Sequence, residues 1–185
     1  LPPPLRRLVT GHDAQGRSCI VEDGASPAQK TVAGRPGYRV TNLWRTAAGA
    51  GVADADDIAD HQGVLPPAGG TVLRIIEWPP EPADPEQARQ RLEATFATLY
   101  PDAHQDRKPG EHPGMHRTRT VDYAIVLEGE IVAIMDQGEA VMRAGDVLVQ
   151  RGTNHAWANR SGQVCRMLFV LVDGVFDPAI TEAKP

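Results

Sequence analysis

Aromatic residues make up only 5% of this 185-residue sequence, and cysteine appears just twice. Cys19 and Cys165 lie far apart and outside any CxxC pattern, which excludes a disulfide framework. Both sit in apolar, strand-like runs and are expected to be buried, reduced thiols of a cytoplasmic protein. No run of about 18 apolar residues occurs, so no membrane span is expected. An excess of positive charge is also missing. The formal net charge is −5 and the pI near 5.7, whereas nucleic-acid binding calls for a basic face. The start, Leu1-Pro2-Pro3-Pro4-Leu5-Arg6-Arg7, has no apolar signal core and is expected to be a flexible arm. Turn formers are plentiful instead, with 18 glycines and 16 prolines beside 41% hydrophobic and 23% charged residues. Such a mixture suits many short strands punctuated by turns, and the length suits one domain with a genuine core.

Residues 5–24 read as a hairpin, with the turn Asp13-Ala14-Gln15-Gly16 between an apolar stretch through Val9 and Ser18-Cys19-Ile20-Val21. Residues 24–37, small and Pro/Gly-containing, are expected to be loop, and Tyr38 to Trp44 a strand. The segment 46–70 is rich in Ala, Gly and Asp, and long irregular stretches of this kind form lids or binding loops. Thr71 to Trp78 is a strand stopped by Pro79-Pro80. One helix is predicted: Asp84 caps it, Pro85 suits its first turn, and Ala88, Leu92, Phe96 and Leu99 recur at helical spacing before Pro101. From residue 115 the pattern changes to short strands at 121–127, 130–135, 139–143, 147–150, 155–159 and 164–172, each pair separated by a glycine-containing or polar turn. Strands of this kind build a sandwich or barrel. The expected organisation is an arm, hairpin and loops over 1–70 packing on a barrel over 71–176, then a loose tail at 177–185.

Two spaced motifs lie in the second half. Gly110, His116, Thr118, Asp122 and Gly129 stand at the spacings of glycine, five residues, His-x-His, three residues, Glu, six residues, glycine. Gly145-Asp146, Gly152, His155 and Asn159 form the second motif, with one residue fewer between turn and histidine. On these residues the chain resembles the cupin superfamily. The runs from His112 to Tyr123 and from Gln150 to Trp157 resemble a subgroup of small bacterial and fungal cupins. Fungal members of that subgroup occur in polyketide biosynthetic clusters and carry labels such as cupin-domain oxidoreductase. The resemblance implies an all-β fold: a double-stranded β-helix (the cupin or jelly-roll barrel) with an N-terminal strand extension and one inserted helix near 85–100. It also implies a pocket for a divalent metal ion. Metal-binding cupins draw two histidines and a glutamate from the first motif and a third histidine from the second, and here Thr118 and Asp122 occupy two of those places. The remaining set is His116, Asp122 and His155, with His112 as a candidate fourth ligand and His61 as a weaker outside candidate.

On a strand alternate side chains share a face, so His116 and Thr118, then Asp122, Ala124 and Val126, then His155, Trp157 and Asn159, are expected to point inward. Two imidazoles and a carboxylate suit Fe(II) and also hold Zn, Mn, Co or Ni. Asp122 doubles as a candidate general base, and Thr118 as a hydrogen-bonding partner for water or substrate. Trp157, Asn159, Arg74 and Trp44 are the candidate substrate contacts, with Trp157 forming either a flat wall or plain core. Tyr123, Arg117 and Arg119 should face outward. The expected activity is Lewis-acid chemistry on a small oxygenated organic molecule, of the lyase, decarboxylase, dehydratase or isomerase type. The rivals are an Fe(II)-dependent oxygenase and a non-catalytic small-molecule-binding barrel. A homodimer is expected, paired through the barrels and the N-terminal hairpin.

Overall fold

In the computed structural model, residues 4–105 and 108–176 are described; the expected tail at 177–185 and the first three residues lie outside them. The hairpin forms as expected from β1 (Arg6–His12) and β2 (Ser18–Ala25) around a turn locked by Asp13, whose carboxylate accepts the Gln15 and Arg17 amides, each at 2.9 Å. Arg7 is anchored rather than loose, since its buried guanidinium pairs with Glu22 and Asp56.

The sequence gives no strand signal at 24–37, yet β3 (Ala28–Thr31) forms there on the edge of β4 (Arg39–Thr46). Its stability comes from its neighbours: Ser26 Oγ donates to the Asn42 carbonyl at 2.6 Å, and Lys30 Nζ to the His61 carbonyl at 2.7 Å. The segment 46–70 is pinned down, with a short 3-10 helix (Ile58–Asp60) whose Ile58 is fully buried. β5 (Thr71–Trp78) follows, then α1 (Pro85–Leu99), where Asp84 accepts the Glu86 amide at 3.0 Å and Leu92, Phe96 and Leu99 turn inward.

The remaining strands are β6 (Thr120–Glu128), β7 (Glu130–Met135), β8 (Glu139–Arg143), β9 (Val147–Arg151), β10 (His155–Ala158) and β11 (Cys165–Asp173). They complete a six-stranded antiparallel sheet, ordered β3-β4-β5-β11-β6-β9, and a three-stranded sheet, β10-β7-β8. Strict alternation sets the inner face: on β6, Thr120, Asp122, Ala124 and Val126 are buried while Val121, Tyr123 and Leu127 are exposed. Val126, Met167 and Phe169 from the larger sheet meet Ile131, Met142 and Trp157 from the smaller one in a single core. The β6–β7 turn needs Gly129, at φ 78°, because a Cβ there would come within 2.8 Å of the Val164 carbonyl oxygen. Cys19 and Cys165 are both free thiols, Cys165 buried. The architecture is an all-β jelly-roll barrel with one inserted helix. No described helix is long and apolar enough to cross a membrane.

Candidate functional site

The barrel holds a cavity lined by residues of both sheets. Strands β5, β6, β10 and β11 form its walls, α1 and the Arg35–Tyr38 loop cover one side, and the 114–118 segment lies along its rim. That segment departs from the expected strand. His116 makes a single bridge to His155, with backbone N–H···O bonds of 2.9 and 3.0 Å in both directions, and regular pairing resumes only at Thr120.

The bridge brings the two histidines together, their ring centroids 4.3 Å apart. Each ring is oriented by its own backbone: His116 Nδ1 donates to the Gly114 carbonyl at 2.9 Å, and His155 Nδ1 to the Thr153 carbonyl at 3.0 Å. Those bonds fix the Nδ1–H tautomer and leave each Nε2 lone pair without a hydrogen-bond partner among the described residues. Burial pushes His116 below the ordinary imidazole range and His155 well below it, the positive charge of a protonated His116 adding to the second effect. Both are therefore neutral at neutral pH. The rings continue an aromatic wall: Phe96 meets His116 edge-on at 5.1 Å, Trp157 meets His155 at 5.9 Å, and Phe169 meets Trp157 at 5.6 Å.

Asp122 lines the same cavity. Burial raises its carboxyl to about 6, partly offset by the Thr120 hydroxyl and the positive charge of Arg74. Its Oδ1 is buried with no hydrogen-bond partner among the described residues. Thr118 also lines the cavity, its Oγ1 accepting from Thr120 Oγ1 at 2.8 Å. Among the described residues, however, no three His, Cys, Asp or Glu side chains stand close enough to hold a metal ion together. The two imidazoles are brought together; the three-residue set with Asp122 is not assembled.

Other expected site residues fall into two groups. Arg74 and Trp157 line the cavity. His112 stands away from it: its Nε2 meets Glu81 Oε1 at 3.1 Å and its Nδ1 accepts the Gly114 amide at 3.1 Å, so both nitrogens are engaged. Trp44 is half-buried on β4 and faces a separate groove under β1 and β2, because the β4 register turns it out of the barrel. Asn159 is buried but occupied, donating to the Trp78 and Gln163 carbonyls at 2.8 and 2.7 Å and accepting from Ser161, so it locks a turn. His61 lies behind the wall, where its Nε2 accepts from Arg74 Nη2 at 3.1 Å. Sequence reasoning missed Arg35, Tyr38 and Tyr100, which line the cavity from segments carrying no motif. The hydroxyls of Tyr38 and Tyr100 are 3.0 Å apart.

The family profile described as "Cupin domain" matches residues 103–171. Phomopsin biosynthesis cluster protein C' of Diaporthe leptostromiformis is 35% identical over 197 aligned residues, covering 99% of this chain and 82% of that protein. The cupin-domain-containing oxidoreductase fogC of Aspergillus ruber is 27% identical over 90% of this chain and 71% of its own length. Among solved structures, the polyketide cyclase RemF of Streptomyces resistomycificus aligns over 80% of this chain and 73% of that one, at 16% identity and a TM-score of 0.43. With its two motifs meeting at the His116–His155 bridge and a relative matching nearly its whole length, this chain belongs to the cupin superfamily.

Proposed function

We propose that this chain is an enzyme that holds a divalent metal ion on His116 and His155 and transforms a small oxygenated organic molecule in the adjoining cavity. The observation that carries this reading is the pair of buried, neutral imidazoles, each with Nδ1–H tied to a backbone carbonyl and Nε2 left bare. A bound Fe, Zn, Mn, Co or Ni ion supplies Lewis acidity for elimination, decarboxylation or isomerisation. Asp122, with its unpartnered oxygen and a carboxyl near 6, is suited to accept a proton from the substrate at neutral pH. Thr118 offers its hydroxyl to a substrate or water oxygen, and the Phe96–Trp157–Phe169 wall excludes water. A second reading is an Fe(II)-dependent oxygenase or oxidoreductase; the word oxidoreductase in the name of the Aspergillus ruber relative favours its reaction class and names no metal. Elemental analysis of chain purified without chelator tests the proposal: one equivalent of metal supports it, and a metal-free chain that binds none on reconstitution overturns it. Substrate-dependent oxygen consumption would select the second reading.

The proposal includes a homodimer. The outer face of β6 and β9 exposes Val121, Tyr123, Val147 and Val149 side by side, an apolar strip suited to a second copy. Light scattering at micromolar concentration should give twice the 20.0 kDa chain mass, falling to a monomer in Tyr123→Lys/Val149→Glu.

A further inference from the structure

Among the described residues four arginines are buried: Arg7, Arg35, Arg39 and Arg74. Arg7 pairs with Glu22 and Asp56, and Arg39 with Glu77, as burial of a guanidinium requires. Arg35 and Arg74 have no ion-pair partner among the described residues, and both line the cavity. Arg74, 1% exposed, meets only neutral acceptors: Nη2 donates to His61 Nε2 at 3.1 Å and to the Val64 carbonyl at 2.9 Å, and its guanidinium also reaches the Tyr100 hydroxyl. Its Nε is buried with no partner. Arg35 makes one long bond, Nη1 to Thr95 Oγ1 at 3.4 Å, and lies over the rings of Tyr38 at 4.2 Å and Trp78 at 5.3 Å. Glu81 acts on Arg35 only at range and is itself engaged by His112. The indole Nε1 of Trp78, a residue that also lines the cavity, is a second buried donor without a partner.

A pair of uncompensated guanidinium charges in an apolar cavity is costly unless a ligand brings negative charge. We propose that Arg35 and Arg74 form an anion-binding end of this cavity, and that the molecule received there is a small monocarboxylic acid with an apolar, aromatic body. This rests on reading the cavity as a substrate site. The chemistry narrows the class. Among the described residues Asp122 is the single carboxylate lining the cavity, so apart from any metal ion on the histidines the two guanidinium groups leave one positive charge over, which a monoanion neutralises. The planar forks of arginine match a carboxylate. Between this end and the histidine pair the walls are Ile76, Phe96, Trp157, Phe169 and Leu171, against which a flat hydrocarbon body packs. The acid group is thus held by the arginines while the bond to be changed lies nearer the histidines.

The test is binding by the purified full chain, read by calorimetry and thermal shift, of benzoate, trans-cinnamate and 1-naphthoate, each beside its methyl ester. At least one acid should bind tenfold or more tighter than its ester, and Arg74→Met and Arg35→Met should each erase that preference. In the absence of ligand, Arg74→Met should melt within a few degrees of the parent, while Arg39→Met, which strips a partner from buried Glu77, should fall by more than about 5 °C. Esters that bind as well as acids, no binding by any acid, or a preference that survives in both variants would overturn the proposal. So would stronger protection by inorganic phosphate than by the acids. If Arg74→Met fails to fold, the acid-to-ester ratio of the parent decides alone. The measurements are made on chelator-treated chain, so that an acid cannot bind through a metal ion; a chain that takes up no metal on reconstitution yet still prefers acids would sink the enzyme reading and leave this one standing.

Discussion

The two ends of the cavity are built in opposite ways. At one end His116 and His155 stand 39 positions apart in the sequence, within the two motifs, and a single backbone bridge joins them. At the other end Arg35, Tyr38, Arg74 and Tyr100 come from a loop, a strand and the end of a helix, none carrying a motif. The histidines are neutral, hydrogen-bonded through one nitrogen and bare at the other. The arginines are charged, buried and short of acceptors. The difference teaches where each kind of information sits. Motif spacing encodes the reactive groups, whereas the part of the site that chooses a ligand is assembled from the rest of the chain.

Five substitutions would break or sharpen that contrast. The largest effect is expected at the histidine end: His155→Ala should lower metal content from about one equivalent to background, a loss of tenfold or more in affinity, read by elemental analysis. Next come the buried arginines. Arg39→Met should cost about 3 kcal/mol in denaturant unfolding because Glu77 loses one of its two cations, whereas Arg74→Met should stay within about 1 kcal/mol of the parent. Third, His61 behind Arg74 should leave an acid signature. Burial first, and then the positive charge of Arg74, lower it from 6.5 to about 4. Its folded value lies below its unfolded one, so the unfolded chain takes up the proton first as pH falls. The stabilisation is complete above pH 6.5 and is lost as pH drops through about 4, a change of about 3 kcal/mol that should disappear from the stability–pH curve of His61→Gln. Smallest is Asp84→Ala, which removes the cap of the helix covering the cavity and should cost about 1 kcal/mol.

Much of the scaffold was legible because its signals are local. Alternating burial on β6 follows directly from the pleat, α1 begins at its Asp-Pro cap, and the turns fall at glycines such as Gly129. β3 was not legible, since Ala28–Thr31 is held by the edge of β4 rather than by a hydrophobic pattern of its own. In the site, His116, His155, Asp122, Thr118 and Trp157 follow from motif position and strand alternation and line the cavity, as does Arg74, a candidate only by its place on an earlier strand. His112, Trp44 and Asn159 share the same residue chemistry, yet a carboxylate, a register and a turn direct them elsewhere.

The sequence by itself determined the all-β class, the strand and turn positions, the helix and the two histidines, because period, turn chemistry and motif spacing act over a few residues. Only the tertiary structure decided that the histidines meet across one bridge without Asp122 completing a trio, and that two arginines share a cavity without an ion pair to either of them among the described residues. Those facts depend on distances between segments far apart in the chain, and packing alone sets them.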